Sequence, residues 1–260
     1  MYEELQAKVC AITGAARSIG LGIAEAFCNE GAKVALVDID GGQVADQAKR
    51  LAKGGFTAKG YQADVADHAR VMDCFGQIQS DLGQVSILIN NAGIVSQGPL
   101  EQISSEQIDR MMRVNAHGTL YCVQAVIAGM KKNRWGRIMN FSSKSGKTGS
   151  ALMADYSAAK GAIIAMTHAM AFELAEHNIT VNCLCPGITD QIGAWEHVSA
   201  GYVKNLGLSR EEMIKKFTAK IPLGRLTQIE DIVNFALFLA AKGGYCTGQA
   251  FNITGGREVH

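Results

Sequence analysis

The sequence predicts an α/β fold, a doubly wound parallel sheet in a single domain. Three observations carry that expectation. Short apolar runs alternate with longer helical stretches along the 260 residues, the pattern of repeated βαβ units. The short runs are apolar at successive positions, so each strand should be covered on both faces. A glycine-rich turn joins the first run to the first helical stretch, as βαβ folds commonly begin.

Taken in order, strands are expected at residues 9–13, 34–37, 58–62, 87–90, 137–141, 180–184 and 249–253. Helices are expected at 19–30, 42–53, 67–82, 105–132, 154–177 and 229–240. Each crossover should be right-handed. Only three prolines occur, Pro99, Pro186 and Pro222, and no linker or low-complexity tract divides the chain. The rhythm breaks once. Residues 189–220 are more polar and hold Trp195, His197, Tyr202 and Lys204. An insertion after a strand end is the usual home of a substrate lid, so a small helical lid is expected there.

Composition narrows the partners. The chain is 48% hydrophobic and 19% charged, with a formal net charge of +1. That balance gives no general pull on nucleic acid or anionic membranes. No apolar run reaches the ~18 residues of a membrane span. Seven cysteines occur, an odd number, mostly in apolar runs. They read as small buried hydrophobes in a reducing compartment, by default the cytoplasm. Cys183 and Cys185 are expected to point to opposite faces of their strand and to share no metal. No metal site is expected elsewhere.

The first strand runs into Thr13-Gly14-Ala15-Ala16-Arg17-Ser18-Ile19-Gly20-Leu21-Gly22. Gly14 permits a tight turn, and Gly20 permits a close approach of helix and strand or of backbone and pyrophosphate. The helix that follows offers free N–H groups to phosphate. The second strand ends at Asp38, where a Rossmann-type fold places a carboxylate against the adenosine ribose hydroxyls. A carboxylate there repels a 2′-phosphate and favours NAD over NADP. Asp40 is available to cap the next helix instead.

A second group of residues suggests acid–base chemistry. Tyr156 and Lys160 stand at i and i+4 on one helix, one turn apart. An ammonium beside a phenol favours the phenolate and should lower the Tyr156 pKa. Tyr156 can then take a proton from an alcohol as hydride leaves, or return it to a ketone. Ser143 closes the preceding strand, thirteen residues earlier, and can bond the substrate oxygen. Asn90-Asn91-Ala92-Gly93 closes another strand with small and amide side chains. Asn115 interrupts an apolar helix, where its side chain must find partners and can bend the helix. A water held there would relay protons to Lys160.

Taken together, Thr13–Gly22, Asn90–Gly93, Asn115, Ser143, Tyr156-x3-Lys160 and Pro186-Gly187 resemble the short-chain dehydrogenase/reductase family over essentially the whole chain. The resemblance implies a catalytic set of Asn115, Ser143, Tyr156 and Lys160. It implies cofactor contacts from Gly14, Arg17, Ser18, Ile19 and Gly20 in the first turn, and from Asp38, Asp64 and Val65 near the adenosine. Asn91, Ala92 and Gly93, then Tyr156 and Lys160, and finally Pro186, Gly187, Ile188 and Thr189 would complete that set. It also implies a homotetramer, with the Tyr156 helix against a neighbouring subunit. Two departures stand out. Ser18 replaces the family's central glycine, and Thr189 is an inexact match to its threonine after Pro-Gly.

Local stretches, including Ser143-Lys144-Ser145-Gly146-Lys147, are similar to those of bacterial polyol dehydrogenases. A polyol or sugar-derived alcohol is therefore the expected substrate, met by Ser143, Lys144, Tyr156 and Trp195. Either Lys144 or Lys147 is placed to meet an anionic group such as phosphate, sulfonate or carboxylate. Two other readings remain open: a reductase of a small diketone or 3-oxoacyl substrate, and a non-catalytic nucleotide-sensing subunit.

Overall fold

A computed structural model describes residues 2–189 and 209–259, apart from the side chains of Arg210 and Met213. Seven parallel strands form one sheet: β1 (Val9–Thr13), β2 (Lys33–Asp38), β3 (Ala58–Gln62), β4 (Val85–Asn90), β5 (Gly136–Phe141), β6 (Ile179–Pro186) and β7 (Ala250–Ile253). Their spatial order is β3-β2-β1-β4-β5-β6-β7. The order reverses between β1 and β4. At such a switch point the strand ends splay and leave a crevice on the carboxyl side.

The expected covering of both sheet faces holds for the central strands. Every residue of β1, β5 and β6 is buried, whereas β3, at one edge, buries Ala58 and Tyr61 and exposes Lys59 and Gln62. One apolar cluster joins Ile12, Phe27, Leu36 and Ile232 on one side of the sheet; another joins Val37, Phe75, Leu88 and Met130 on the other.

The helices are α1 (Ser18–Asn29), α2 (Gly41–Lys53), α3 (His68–Leu82), α4 (Ser105–Met112), α5 (Gly118–Asn133), α6 (Lys144–Thr148), α7 (Ala154–Leu174), α8 (Arg210–Thr218) and α9 (Ile229–Ala241). The single helix expected over 105–132 is in fact two, with a π-helical turn at Arg113–His117 between them. Asn115 explains the break. Its Nδ2 donates to the Met111 carbonyl at 3.1 Å, the acceptor that its own backbone N–H takes in a straight α-helix.

Of the lid expected at about 189–220, the structure describes α8, whose Ser209 N-cap and Glu212 form a capping box. Trp195, His197, Tyr202 and Lys204 lie outside the described residues.

Cys183 and Cys185 correct the sequence expectation. Strand side chains alternate with period two, so residues two apart share a face. Both cluster with Ile163 of α7. All seven cysteines are free. Among the described residues no three His, Cys, Asp or Glu side chains gather to hold a metal, and no helix is long and apolar enough to cross a membrane.

Candidate active site

A cleft of about 920 Å³ opens along the carboxyl ends of the strands. Its first wall is the turn after β1. Gly14 has φ +65° and Ser18 φ +52°. Ser18 thus holds the left-handed backbone that glycine adopts freely, which accounts for the family's glycine at this position. Relieving that strain should outweigh glycine's extra unfolded-state entropy. Ser18→Gly is expected to raise stability by about 0.5–1 kcal/mol, read from urea midpoints at unchanged m. A lower midpoint would show that the serine hydroxyl makes a stabilising bond.

The turn is held from the neighbouring strand. The Asn91 side chain donates to the Thr13 and Gly14 carbonyls at 3.1 and 3.0 Å. The Thr13 hydroxyl accepts from the Asn91 and Ala92 N–H groups, both at 3.1 Å. Thr13 was not singled out from sequence, because it reads there as an ordinary buried strand residue.

Gly20 is absent from the cleft wall, unlike Gly14, Arg17, Ser18 and Ile19. A Cβ on it would lie 2.1 Å from the Gly14 carbonyl oxygen and 2.7 Å from the Asn91 amide. Of its two expected uses, the close packing of helix on turn is the one observed. No side chain caps the N-terminus of α1, whereas Asp40, Asp67 and Ser104 cap α2, α3 and α4. The open N-terminus of a 12-residue helix suits a pyrophosphate.

Asp38 stands on the cleft wall at the end of β2. Asp40 does cap α2, leaving Asp38 free of that task. The Asp38 oxygens accept from the Ala16 N–H at 3.0 Å and the Asp40 N–H at 3.1 Å, which fixes the carboxylate toward the cleft. Asp64, Val65, Asn91, Ala92 and Gly93 continue the wall, and Pro186, Gly187, Ile188 and Thr189 close its far side. Thr189 bridges to Thr227.

The four candidate catalytic residues meet at the centre. Asn115, Ser143, Tyr156 and Lys160 all line the cleft. Lys160 is only 5% exposed. Its Nζ lies 5.8 Å from the Tyr156 ring centroid and donates to the Phe141 carbonyl at 2.7 Å. Burial of the ammonium pulls its pKa down to about 8.

The Tyr156 phenol departs from the sequence expectation. Burial pushes its pKa up, while a hydrogen bond with Ser143 pulls the other way. The ammonium sits beside the ring and is held by a backbone carbonyl, so burial outweighs its influence on the phenol. The Ser143 hydroxyl also accepts from the Ser145 N–H at 3.2 Å, opening α6. Asn115 bonds the loop after β4 in both senses: Nδ2 donates to the Ile94 carbonyl and Oδ1 accepts from the Ile94 N–H, at 3.0 and 3.3 Å.

Two features escaped the sequence reading. Asp155, beside Tyr156, is buried and accepts from Ser96 at 2.6 Å and Gln107 at 2.8 Å. It ties the loop after β4 and α4 to the start of α7. Its sequence signal, one acid in a helix's first turn, is common to many helices. The other is Arg257, which reaches this chain's own cleft together with Lys216 and Phe217. Lys144 also lines the cleft; Lys147 does not.

The chain belongs to the short-chain dehydrogenase family, whose model matches residues 8–200. It is an oxidoreductase of the alcohol-dehydrogenase type, on a fold that binds a nicotinamide dinucleotide. Among its relatives, galactitol 2-dehydrogenase of Agrobacterium fabrum is 38% identical over 97% of this chain and 98% of its own. Sorbitol dehydrogenase of Cereibacter sphaeroides is 35% identical over the same shares. The crystal structure of an NAD+-bound xylitol dehydrogenase superposes with a TM-score of 0.93 at 30% identity, covering 98% of this chain and 100% of that one.

Proposed function

We propose that the protein is an NAD-linked polyol dehydrogenase, interconverting a secondary alcohol and a ketone on a small polyol or sugar-derived substrate. The observation that carries the proposal is the meeting of Ser143, Tyr156 and Lys160 in one cleft whose opposite end is closed by Asp38. The similarity to galactitol, sorbitol and xylitol dehydrogenases supports the substrate class.

The uncapped α1 would hold the pyrophosphate, Asp38 the adenosine ribose, and Pro186–Thr189 with Lys160 the nicotinamide end. Bound there, NAD supplies the hydride acceptor. The protein's side chains manage the proton. Ser143 holds the substrate oxygen. Tyr156 takes the hydroxyl proton at its phenolic oxygen in oxidation and returns it in reduction. Lys160 favours the phenolate when charged, and Asn115 fixes the loop that walls the site. A homotetramer fits the chemistry of α7: Phe172, 87% exposed on it, suits a covering subunit. Seven free thiols suit a reducing compartment such as the cytoplasm.

The test is NADH formation at mildly alkaline pH across polyols, sugar phosphates and short diols, with NADP in parallel. Turnover with NAD and a polyol supports the assignment. Activity confined to short diketones moves it to the reductase reading, and tight NADH binding without turnover moves it to the sensor. Asp38→Ala is expected to weaken NADH binding about 10-fold, as loss of a charge-assisted contact does, and to lower the NAD-to-NADP preference. An unchanged preference would remove Asp38 from cofactor choice.

A further inference from the structure

The charges lining the cleft are unevenly spread. Among the described residues, its two carboxylates, Asp38 and Asp64, stand on the wall assigned above to the adenosine. Arg17 stands with them, and the remaining charged groups on the wall are all cations: Arg110, Lys160, Lys144, Lys216 and Arg257. The last three come from three elements, the start of α6, α8 and the tail after β7.

The tail is built to present its cation. The Glu258 N–H donates to the Thr254 hydroxyl at 3.3 Å, and the Glu258 carbonyl accepts from the Asn252 side chain at 3.1 Å. The Arg257 guanidinium lies over the Phe217 ring of α8, 5.7 Å from its centroid. The same Glu258 oxygen meets Arg257 at 3.3 Å and Lys144 at 3.9 Å. One carboxylate therefore serves two cations, and Lys216 adds a third charge on the cleft wall. The Lys144 and Arg257 side chains are only 15% and 17% exposed, so water screens their repulsion poorly. The strain registers on Lys144. Burial first, and then the positive charges of Arg257 and Lys220, pull its pKa down against the opposing pull of Glu258.

Building on the polyol reading above, we propose that Arg257, Lys144 and Lys216 cradle a tetrahedral oxyanion, phosphate or sulfonate, carried by the substrate away from its reacting hydroxyl. Donors arriving from three elements suit three terminal oxygens better than a planar carboxylate. The anion relieves the repulsion between Lys144 and Arg257, so its binding is stabilised on both counts. The cradle deepens the sequence expectation, which placed the anion on Lys144 or Lys147; Lys147 lies off the wall, and the tail supplies the partner that sequence spacing hides.

The full chain with NAD is assayed on sorbitol, sorbitol 6-phosphate and 2-hydroxypropane-1-sulfonate. The wild type is compared with Arg257→Ala, Lys216→Ala and Lys147→Ala. Inorganic phosphate and sulfate are also titrated calorimetrically into the enzyme–NADH complex, which needs no turnover. One anionic substrate should exceed sorbitol in kcat/KM by about 10-fold or more, and the two anionic arms tell phosphate from sulfonate. Arg257→Ala and Lys216→Ala should each cut that preference about 10-fold, through KM, and weaken the inorganic anion in parallel. Lys216 is exposed, so its variant should fold even where Arg257→Ala does not. Lys147→Ala should keep the preference.

Equal use of neutral and anionic alcohols with no anion binding overturns the cradle and leaves the polyol reading standing. No turnover with any substrate sinks the polyol reading, and calorimetry then decides the cradle alone: anion binding lost in Arg257→Ala upholds it, and no binding overturns it. An equal loss of NADH affinity in Arg257→Ala assigns these cations to the cofactor and also overturns it.

Discussion

Tyr156→Phe is expected to lower kcat/KM by about 10²–10⁴, the usual worth of a positioned general acid or base, with NADH affinity retained. Only one oxygen is removed, and the ring that faces Lys160 stays. The direction of the pH dependence follows from the phenol. Burial raises its pKa, so the proton stays on through neutral pH. Alcohol oxidation needs a phenolate to accept a proton, and its kcat/KM should rise with pH. Ketone reduction needs the phenol as donor and should fall as pH rises. Profiles recorded in both directions, in wild type and variant, check this. Profiles flat in both directions, or a variant that retains a tenth of wild-type activity, would take Tyr156 out of the proton transfer.

The second large effect falls on a residue that does not face the cleft. Gly20→Ala places a methyl 2.1 Å from the Gly14 carbonyl oxygen. That neighbour is backbone, so the turn and the start of α1 must part. Overpacking of this kind costs about 1–3 kcal/mol, and the turn that would hold pyrophosphate is displaced with it. NADH affinity, followed by fluorescence titration, should fall about 100-fold, the order expected for losing two or so charge-assisted contacts. Gly42→Ala serves as the control, because its added Cβ meets nothing closer than 3.6 Å. Normal NADH binding by Gly20→Ala would show that the turn tolerates the shift.

Much of this was legible in the sequence because local signals and fold agree. Apolar runs gave the strands, and the spacing of Tyr156 and Lys160 gave one helix face. The glycine turn after β1 and Asn90–Gly93 after β4 marked the two sides of the switch point, and Asp38 the end of the strand next to β1. What stayed hidden depends on long-range packing. Asn115 stood out as a polar residue in an apolar helix, yet only the Met111 and Ile94 carbonyls show how it splits that helix. The rise in the Tyr156 pKa was missed because i, i+4 spacing says nothing about burial or about the carbonyl that holds Lys160. The placing of Cys183 and Cys185 failed for a different reason, an error in the period of a strand. The role of Arg257 stayed open because its partners, Phe217 and Glu258, belong to a contact between α8 and the tail that no local pattern encodes.

The double pinning of Asp38 bears on how such an enzyme evolves. Its carboxylate both faces the cleft and anchors the Ala16 and Asp40 amides. A change that removes the charge also loosens the turn: Asp38→Asn leaves one acceptor oxygen for the two amides, and Asp38→Ala leaves none. If Asp38 selects the coenzyme as proposed, a drift toward the phosphorylated one would disturb the first turn as it removed the charge. Such a switch would need a compensating change in the first turn, so coenzyme choice and turn stability would change together.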